Sequence, residues 1–243
     1  MKKLLGYILS PIAIIAFFLA LVIFQPIQWI CFRFFGYAAH KRSVDILNLC
    51  LFRTFYIIGD TVTFINKQNL PVGRPMIFVA NHQSLLDIPP LIYYLRKYHA
   101  KFVSKIELTK GIPSISYNLK HGGGANIDRK DSRQSMTEMI SLGERMKANN
   151  WSAVIFPEGT RSKDGVVRSF QPGGVAMLLK KCPEALLVPI AIKNSWKVVQ
   201  YGFYPLNTFI SMSWTVLEPI EPGKTPIGDL VLEAENRIKA ALS

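Results

Sequence analysis

The chain has 243 residues, 49% of them hydrophobic and 12% aromatic, and 29 Lys and Arg against 16 Asp and Glu give it a formal net charge of +13. That length suits one catalytic domain with a small appendage, and the positive balance favours anionic partners such as membrane lipid, phosphorylated metabolites or nucleic acid. No basic run or zinc spacing of a known nucleic-acid module accompanies the charge, so no nucleic-acid partner is expected. Cysteines at 31, 50 and 182 form neither a Cys-x-x-Cys pair nor an even framework, which excludes a disulfide scaffold and fits reduced thiols. His40, His99 and His121 have no partner at ligand spacing, so no metal is expected.

Residues 4–32 carry no charge and are long enough to enter a bilayer, since a span takes about 20 apolar residues. Ala13, Ala16 and Ala20 are scattered among bulky residues and make no cleavage site for a signal peptide. Lys2 and Lys3 precede the run and Arg33, Lys41 and Arg42 follow it, so flanking charge selects no orientation. Pro26 can break a helix between Phe24 and Trp29. The preferred reading is a helical hairpin dipping into one leaflet with both ends cytoplasmic, with a single span as the alternative. Residues 1–58 are assigned to this membrane-anchoring two-helix segment and 59–243 to a catalytic domain. The location expected is the cytoplasmic face of a membrane.

From about residue 61 strands and helices alternate. Residues 61–65 alternate like a strand, 76–80 form a buried apolar strand, and 85–98 are predicted as a helix. A short strand follows at 101–104 and another ends at Ile127-Asp128. Asp131 with Gln134 marks a helix start, and Met136, Met139, Ile140, Gly143 and Met146 continue it at helical spacing. Strands are predicted at 151–156 and 186–192, a late strand through Met212, Trp214 and Val216, and a terminal helix over 230–242. Such interleaving over about 180 residues indicates an α/β domain.

Two blocks carry the chemistry. Asn81-His82-Gln83-Ser84-Leu85-Leu86-Asp87 follows the buried strand at 76–80. Histidine is the usual general base near neutral pH, and a carboxylate on its far nitrogen fixes the tautomer and stabilises the imidazolium. In an ideal helix five residues would separate the two side chains by about 140°. They can meet only if His82 lies in the strand-to-helix turn and Asp87 in the first turn of the helix, for which Ser84 is a candidate N-cap. Phe156-Pro157-Glu158-Gly159-Thr160-Arg161-Ser162 follows a second apolar strand, at the strand end where open α/β sheets place their sites. Its arginine offers a planar fork suited to phosphate. Taken singly, each block also fits a turn with ordinary surface charges.

Together these blocks resemble the phospholipid/glycerol acyltransferase family, and most closely its bacterial 1-acyl-glycerol-3-phosphate acyltransferases. Gly123-Gly124-Ala125-Asn126-Ile127-Asp128-Arg129 and Val188-Pro189-Ile190-Ala191-Ile192 are similar to two further family blocks, and the resemblance spans residues 76–192. It departs at Phe170-Gln171-Pro172-Gly173-Gly174, which lacks the basic residue that members often carry there. The resemblance implies a mixed central sheet flanked by helices, of the glycerol-3-phosphate acyltransferase kind, preceded by a two-helix membrane-associated start, with a bacterial inner membrane as the first expected location. It also implies His82 and Asp87 as the catalytic pair, and a backbone that Gly159 lets approach closely.

The expected reaction is transfer of a fatty acyl group from a thioester to the free hydroxyl of lysophosphatidic acid, giving phosphatidic acid. His82 is the expected base, Asp87 its orienting partner, and no acyl-enzyme forms, because the chain has no Gly-x-Ser-x-Gly elbow. For the acceptor, Arg161 is assigned to the phosphate with Lys105 and Arg129 converging on it. Glu158 is expected to orient the glycerol or the hydroxyl, with Gly159 and Thr160 completing the block. Leu85, Leu86, Ile88, Ile92, Tyr93, Ile112 and Ile115 are candidates for an acyl groove, indistinguishable in sequence from core. No cofactor is expected; acyl-CoA or acyl-carrier protein serves as co-substrate, with the bilayer and a lysophospholipid as further partners. Another lyso-lipid such as a lyso-aminolipid, or glycerol 3-phosphate, is the alternative acceptor. An esterase or a non-catalytic lipid-binding protein is the more remote alternative.

Overall fold

The computed structural model describes residues 2–243. It is built on a seven-stranded sheet whose strands are β1 (Thr61–Asn66), β2 (Met76–Ala80), β3 (Lys101–Lys105), β4 (Ala125–Ile127), β5 (Ala153–Ile155), β6 (Leu186–Lys193) and β7 (Ser211–Val216). Their order across the sheet is β1-β7-β6-β2-β5-β3-β4. β6, β2, β5, β3 and β4 run parallel, β7 is antiparallel to β6, and β1 is parallel to β7. The sheet is therefore mixed, as expected, and β2 lies at its centre.

The period of two in the strand side chains sorts the core into two layers. Met76, Phe78, Ala80, Val154, Val188 and Ile190 face a layer containing Phe52, Phe55, Leu91 and Leu95. Ile77, Val79, Ala153, Ile155 and Leu187 face the other way, onto Met139, Leu142, Met146, Leu178, Leu230 and Ile238. Helices α1 (Lys2–Arg53) and α2 (Ile88–Tyr94) cover the first face; α4 (Ser132–Asn149), α5 (Gly173–Lys181) and α7 (Ile227–Leu242) cover the second. Buried on both faces, β2 reads as one continuous apolar run. α4 and α5 pack at glycine distance: a Cβ on Gly143 would lie 2.8 Å from the Lys181 Cβ and 3.3 Å from the Leu178 carbonyl.

The expected helix start at Asp131 is present, with the side chain accepting the Gln134 N–H at 2.9 Å. The predicted helix over 85–98 is split. A 3₁₀ turn at Leu85–Asp87 leads into α2, and a second at Arg96–Tyr98 follows. Pro89 and Pro90 supply no N–H to continue a regular ladder, so the first turn stays tight. Helices α3 (Ile115–His121), α5 and α6 (Ser195–Val198) are additions to the predicted set. α5 opens on two glycines and spans only two and a half turns, which leaves little periodic signal.

The N-terminal segment is helical over its 52 residues except at Gly36, where φ is 78° and ψ −170°. An unbroken helix would be about 78 Å long and would hold Leu21 some 45 Å from Leu51. Instead Leu21, Leu47 and Leu51 share one buried cluster with Phe17 and Phe24 at its margin, so the chain folds back on itself. The hairpin form is as expected, but the bend is at Gly36 and not at Pro26, through which the helix continues. Proline there removes one ladder bond, a loss the surrounding packing tolerates, whereas a φ of 78° is adopted readily by glycine alone. An 18-residue window within the stretch has a mean hydropathy of 2.7, so it is long and apolar enough to cross a membrane, and it leaves Leu4, Ile8, Ile12, Ile15 and Leu19 exposed along one face.

Asp60, fully buried just before β1, accepts the Ile210 N–H at 2.8 Å through Oδ1 while Oδ2 has no partner among the described residues. Burial pushes its carboxyl up to about 7, from about 3.9 in an unfolded chain. The folded protein thus favours the protonated form, and stability is lost as pH rises between about 4 and 7. Asp60→Asn should raise the melting temperature at pH 8 by roughly 5–10 °C and leave it nearly unchanged near pH 4. Melting curves at the two pH values check this; an equal effect at both would mean that Asp60 does not titrate in that range.

Candidate active site

β2, β5, β3 and β4 present their C-terminal ends on one edge of the sheet, and the two motif blocks leave from the adjacent strands β2 and β5. Directly after β2, Ser84 accepts the Leu86 N–H at 3.1 Å and caps the short 3₁₀ turn, while the Asp87 carboxylate reaches back to the Ser84 N–H at 3.0 Å. This reciprocal cap turns Asp87 toward His82. His82 Nδ1 lies 2.8 Å from Asp87 Oδ2, which also accepts the Gln83 N–H at 2.7 Å. The five-residue spacing therefore works through the turn, as its geometry required.

Asp87 is fully buried, and both of its oxygens have partners. Its second oxygen, Oδ1, accepts the Ser195 hydroxyl. Gln83 Oε1 in turn accepts the Ser195 N–H at 3.0 Å, and the Trp214 indole N–H donates to the Asp87 carbonyl at 3.2 Å. Asn81 ties the end of β2 to β6 by donating to the Ile192 carbonyl at 2.9 Å and accepting its N–H at 2.7 Å. A carboxylate so surrounded cannot rotate, and it holds the proton of the neutral imidazole on Nδ1. Nε2 is then the basic nitrogen, and among the described residues no protein group bonds to it. The ring stacks on Phe156 at 4.1 Å between centroids, which fixes its plane, and the side chain stays 15% exposed.

The second block wraps around the first. Glu158 Oε1 accepts the His82 backbone N–H at 2.8 Å and Oε2 accepts the Arg168 N–H at 3.1 Å. Burial holds this carboxyl above the usual carboxylate range, opposed by the two amides. The Glu158 carboxylate fastens the His82 turn to the loop after β5 through these two bonds. The Ser162 N–H donates to the His82 carbonyl at 2.8 Å, which sets Arg161 beside the histidine. Gly159 has a φ of 69° with no atom within 4 Å of an added Cβ, so its backbone conformation, rather than crowding, calls for glycine.

Gly159, Thr160 and Arg161 lie at the surface of this loop, with Lys105 at the end of β3 and Arg129 two residues beyond β4. Among the described residues the three cationic side chains have no ion pair or hydrogen bond. At normal strand spacing Lys105 and Arg129 stand about 10 and 14 Å to the side of β2. The three cations thus share one edge with His82 without being pulled into a single cluster.

A cavity of about 650 Å³ opens beside the motif, between the hairpin and the α2–β3 side of the domain. Of the seven groove candidates, Leu85, Leu86, Ile88, Ile92, Ile112 and Ile115 line it, across from Phe17, Leu21, Leu47 and Leu51 of α1. Tyr93 does not; it packs against Phe52 and Tyr94. Sequence reasoning missed Ser195, Gln83 and Trp214, for which no local pattern exists, since Ser195 lies 108 positions from the carboxylate it meets.

An oriented histidine, cations without partners among the described residues and an apolar cavity thus stand together at one edge of a mixed α/β sheet. The Acyltransferase family model matches residues 61–193, more than half of the chain, and the protein belongs to that family. It is 34% identical over 142 residues to a 1-acyl-sn-glycerol-3-phosphate acyltransferase of Chlamydomonas reinhardtii, covering 58% of this chain and 41% of that protein. It is 30% identical to the chloroplastic LPAT1 of the same name from Arabidopsis thaliana (72% and 47% covered) and 33% identical to the human beta form (63% and 55%). The chain spans about half the length of these curated relatives. The crystal structure of the 1-acyl-sn-glycerophosphate acyltransferase PlsC from Thermotoga maritima superposes with a TM-score of 0.79 at 24% identity, covering 99% of this chain and 96% of that one, and so shares the fold.

Proposed function

We propose that the protein transfers a fatty acyl group from an acyl thioester to the free hydroxyl of lysophosphatidic acid, yielding phosphatidic acid. The observation that carries the reading is the free Nε2 of His82, held by the buried Asp87 carboxylate at 2.8 Å from Nδ1 beside an apolar cavity and unpaired cations. In the reaction Nε2 takes the proton of the acceptor hydroxyl as its oxygen attacks the thioester carbonyl carbon. The tetrahedral intermediate collapses with cleavage of the C–S bond, and the imidazolium returns the proton to the departing thiolate. Asp87 stabilises that imidazolium, so no protein nucleophile is needed. Arg161, with Lys105 and Arg129 to its side, binds the acceptor phosphate, and Thr160 lies next to it. The cavity takes an alkyl chain, its volume being within the usual range of ligand sites. The exposed apolar face of the hairpin rests in one leaflet of a membrane, which supplies the lipid acceptor.

The test offers purified protein a labelled acyl-CoA or acyl-carrier protein with lysophosphatidic acid, glycerol 3-phosphate or a lyso-aminolipid at equal detergent ratio. Phosphatidic acid should be the dominant product. Preference for the aminolipid overturns the acceptor assignment, and release of free fatty acid alone indicates a hydrolase. Arg161→Lys should raise KM for lysophosphatidic acid about 10-fold with little change in donor KM, because lysine keeps the charge and loses the bidentate fork. A rise in donor KM alone would assign Arg161 to the thioester instead.

A further inference from the structure

The catalytic domain carries its own cluster of exposed aromatic side chains. In the loop between α6 and β7, Phe203 is 64% exposed, Tyr204 54% and Tyr201 46%. Leaving rings of this size in water forgoes the stabilisation of burial, and aromatic groups with one polar tip favour the boundary between lipid and water. The loop is joined to the first turns of the hairpin. The rings of Tyr7 and Tyr204 meet edge-on at 5.5 Å, and the Tyr204 hydroxyl donates to the Tyr7 carbonyl at 3.3 Å. The Leu206 N–H donates to Ser10 Oγ at 2.8 Å, and Gly6 comes so close that an added Cβ would sit 2.4 Å from the Leu206 carbonyl oxygen. Lys3 lies 5.0 Å from the centre of the Tyr201 ring, adding a positive charge where lipid phosphates would be met.

On the same helix Leu4, Ile8, Ile12, Ile15 and Leu19 recur every three or four residues and are exposed, forming a single apolar face. The loop therefore extends an apolar surface that the hairpin begins. It also borders the cavity: Val199, Phe203 and Leu206 line it together with Ala13, Ile14 and Phe17.

We propose that residues 201–206 form a second membrane-docking element, which inserts Phe203 and the Tyr201 and Tyr204 rings into the leaflet that holds the hairpin. This places the rim of the cavity between loop and hairpin at the lipid surface, so that an acyl chain passes from leaflet to cavity without crossing water. The inference rests on the proposed membrane seating of the hairpin, and it adds a contact made by the catalytic domain.

The experiment uses the full chain with Cys31→Ser and Cys50→Ser, Cys182 being fully buried. An environment-sensitive fluorophore is attached in turn at Phe203→Cys, Ile15→Cys and Glu144→Cys. Each protein is mixed with vesicles of phosphatidylcholine and phosphatidylglycerol carrying nitroxide-labelled acyl chains. Position 203 should lose most of its emission to the nitroxide, position 15 likewise, and position 144 very little. Quenching at 15 without quenching at 203 overturns the inference and leaves the hairpin anchor standing. Quenching at 203 without quenching at 15 overturns the hairpin seating and, with it, the inference of a second element in the same leaflet, and quenching at neither overturns both. In the native background Phe203→Asp should weaken vesicle binding about 10-fold, the expected loss for one inserted aromatic side chain. An unchanged affinity with an unchanged circular dichroism melt counts against the proposal.

Discussion

His82→Ala is expected to lower kcat for acyl transfer by about 10²–10⁴-fold, the usual worth of a general base. The structure gives the substitution a narrow effect on folding. The imidazole is partly exposed, rests on one face of Phe156 and, among the described residues, bonds only to Asp87. The anchoring bonds of the turn, from the His82 N–H to Glu158 and from the Ser162 N–H to the His82 carbonyl, belong to the backbone and survive. A far-ultraviolet spectrum like that of the parent, together with initial rates measured with a thioester donor, would separate lost chemistry from lost structure. Turnover near the parent value would remove His82 from the mechanism.

Asp87→Asn is expected to cost a similar factor, about 10²–10⁴-fold in kcat, by a different route. Asp87 Oδ2 accepts from His82 Nδ1, Gln83 N and Ser84 N, whereas Oδ1 accepts from the Ser195 hydroxyl. An asparagine can keep its carbonyl oxygen on the three donors and turn its NH₂ to Ser195, whose oxygen can accept in exchange. The turn and its cap are then retained, and what disappears is the negative charge opposite the imidazolium. The variant thus reads the electrostatic contribution apart from the structural one. The informative comparison is kcat against pH alongside a melting curve. A protein that melts much earlier and turns over normally would make Asp87 a structural cap alone.

The pairing of His82 with Asp87 is legible in the sequence because it depends on events within one turn: a strand that ends, a serine that caps, and a carboxylate that reaches back. Those are local preferences of the residues themselves, and the same holds for the Asp131 cap and for the strands at β2 and β6. The bond between Glu158 and the His82 turn is not legible in this way. The neighbours of Glu158 in sequence form a turn, and only the adjacency of β5 to β2 turns its carboxylate onto the His82 amide.

Residue order is enough to make this chain an α/β protein with an apolar N-terminal helical pair, and to bring a histidine and a carboxylate together at the end of a buried strand. Periodicity, capping and turn chemistry act over a few residues and are written in the order of the amino acids. Where the hairpin bends is a matter of packing, because Pro26 and Gly36 are both able to interrupt a helix and the contact of Leu21 with Leu47 and Leu51 selects the second. Long-range packing also brings Ser195, the first residue of α6, to the far oxygen of Asp87, and lets Leu85, Ile92 and Ile112 line a cavity where they could as well have filled a core. An apolar side chain has the same preference for leaving water in either place. Which place it takes depends on the distance at which the hairpin settles against the sheet, and no short stretch of sequence carries that distance.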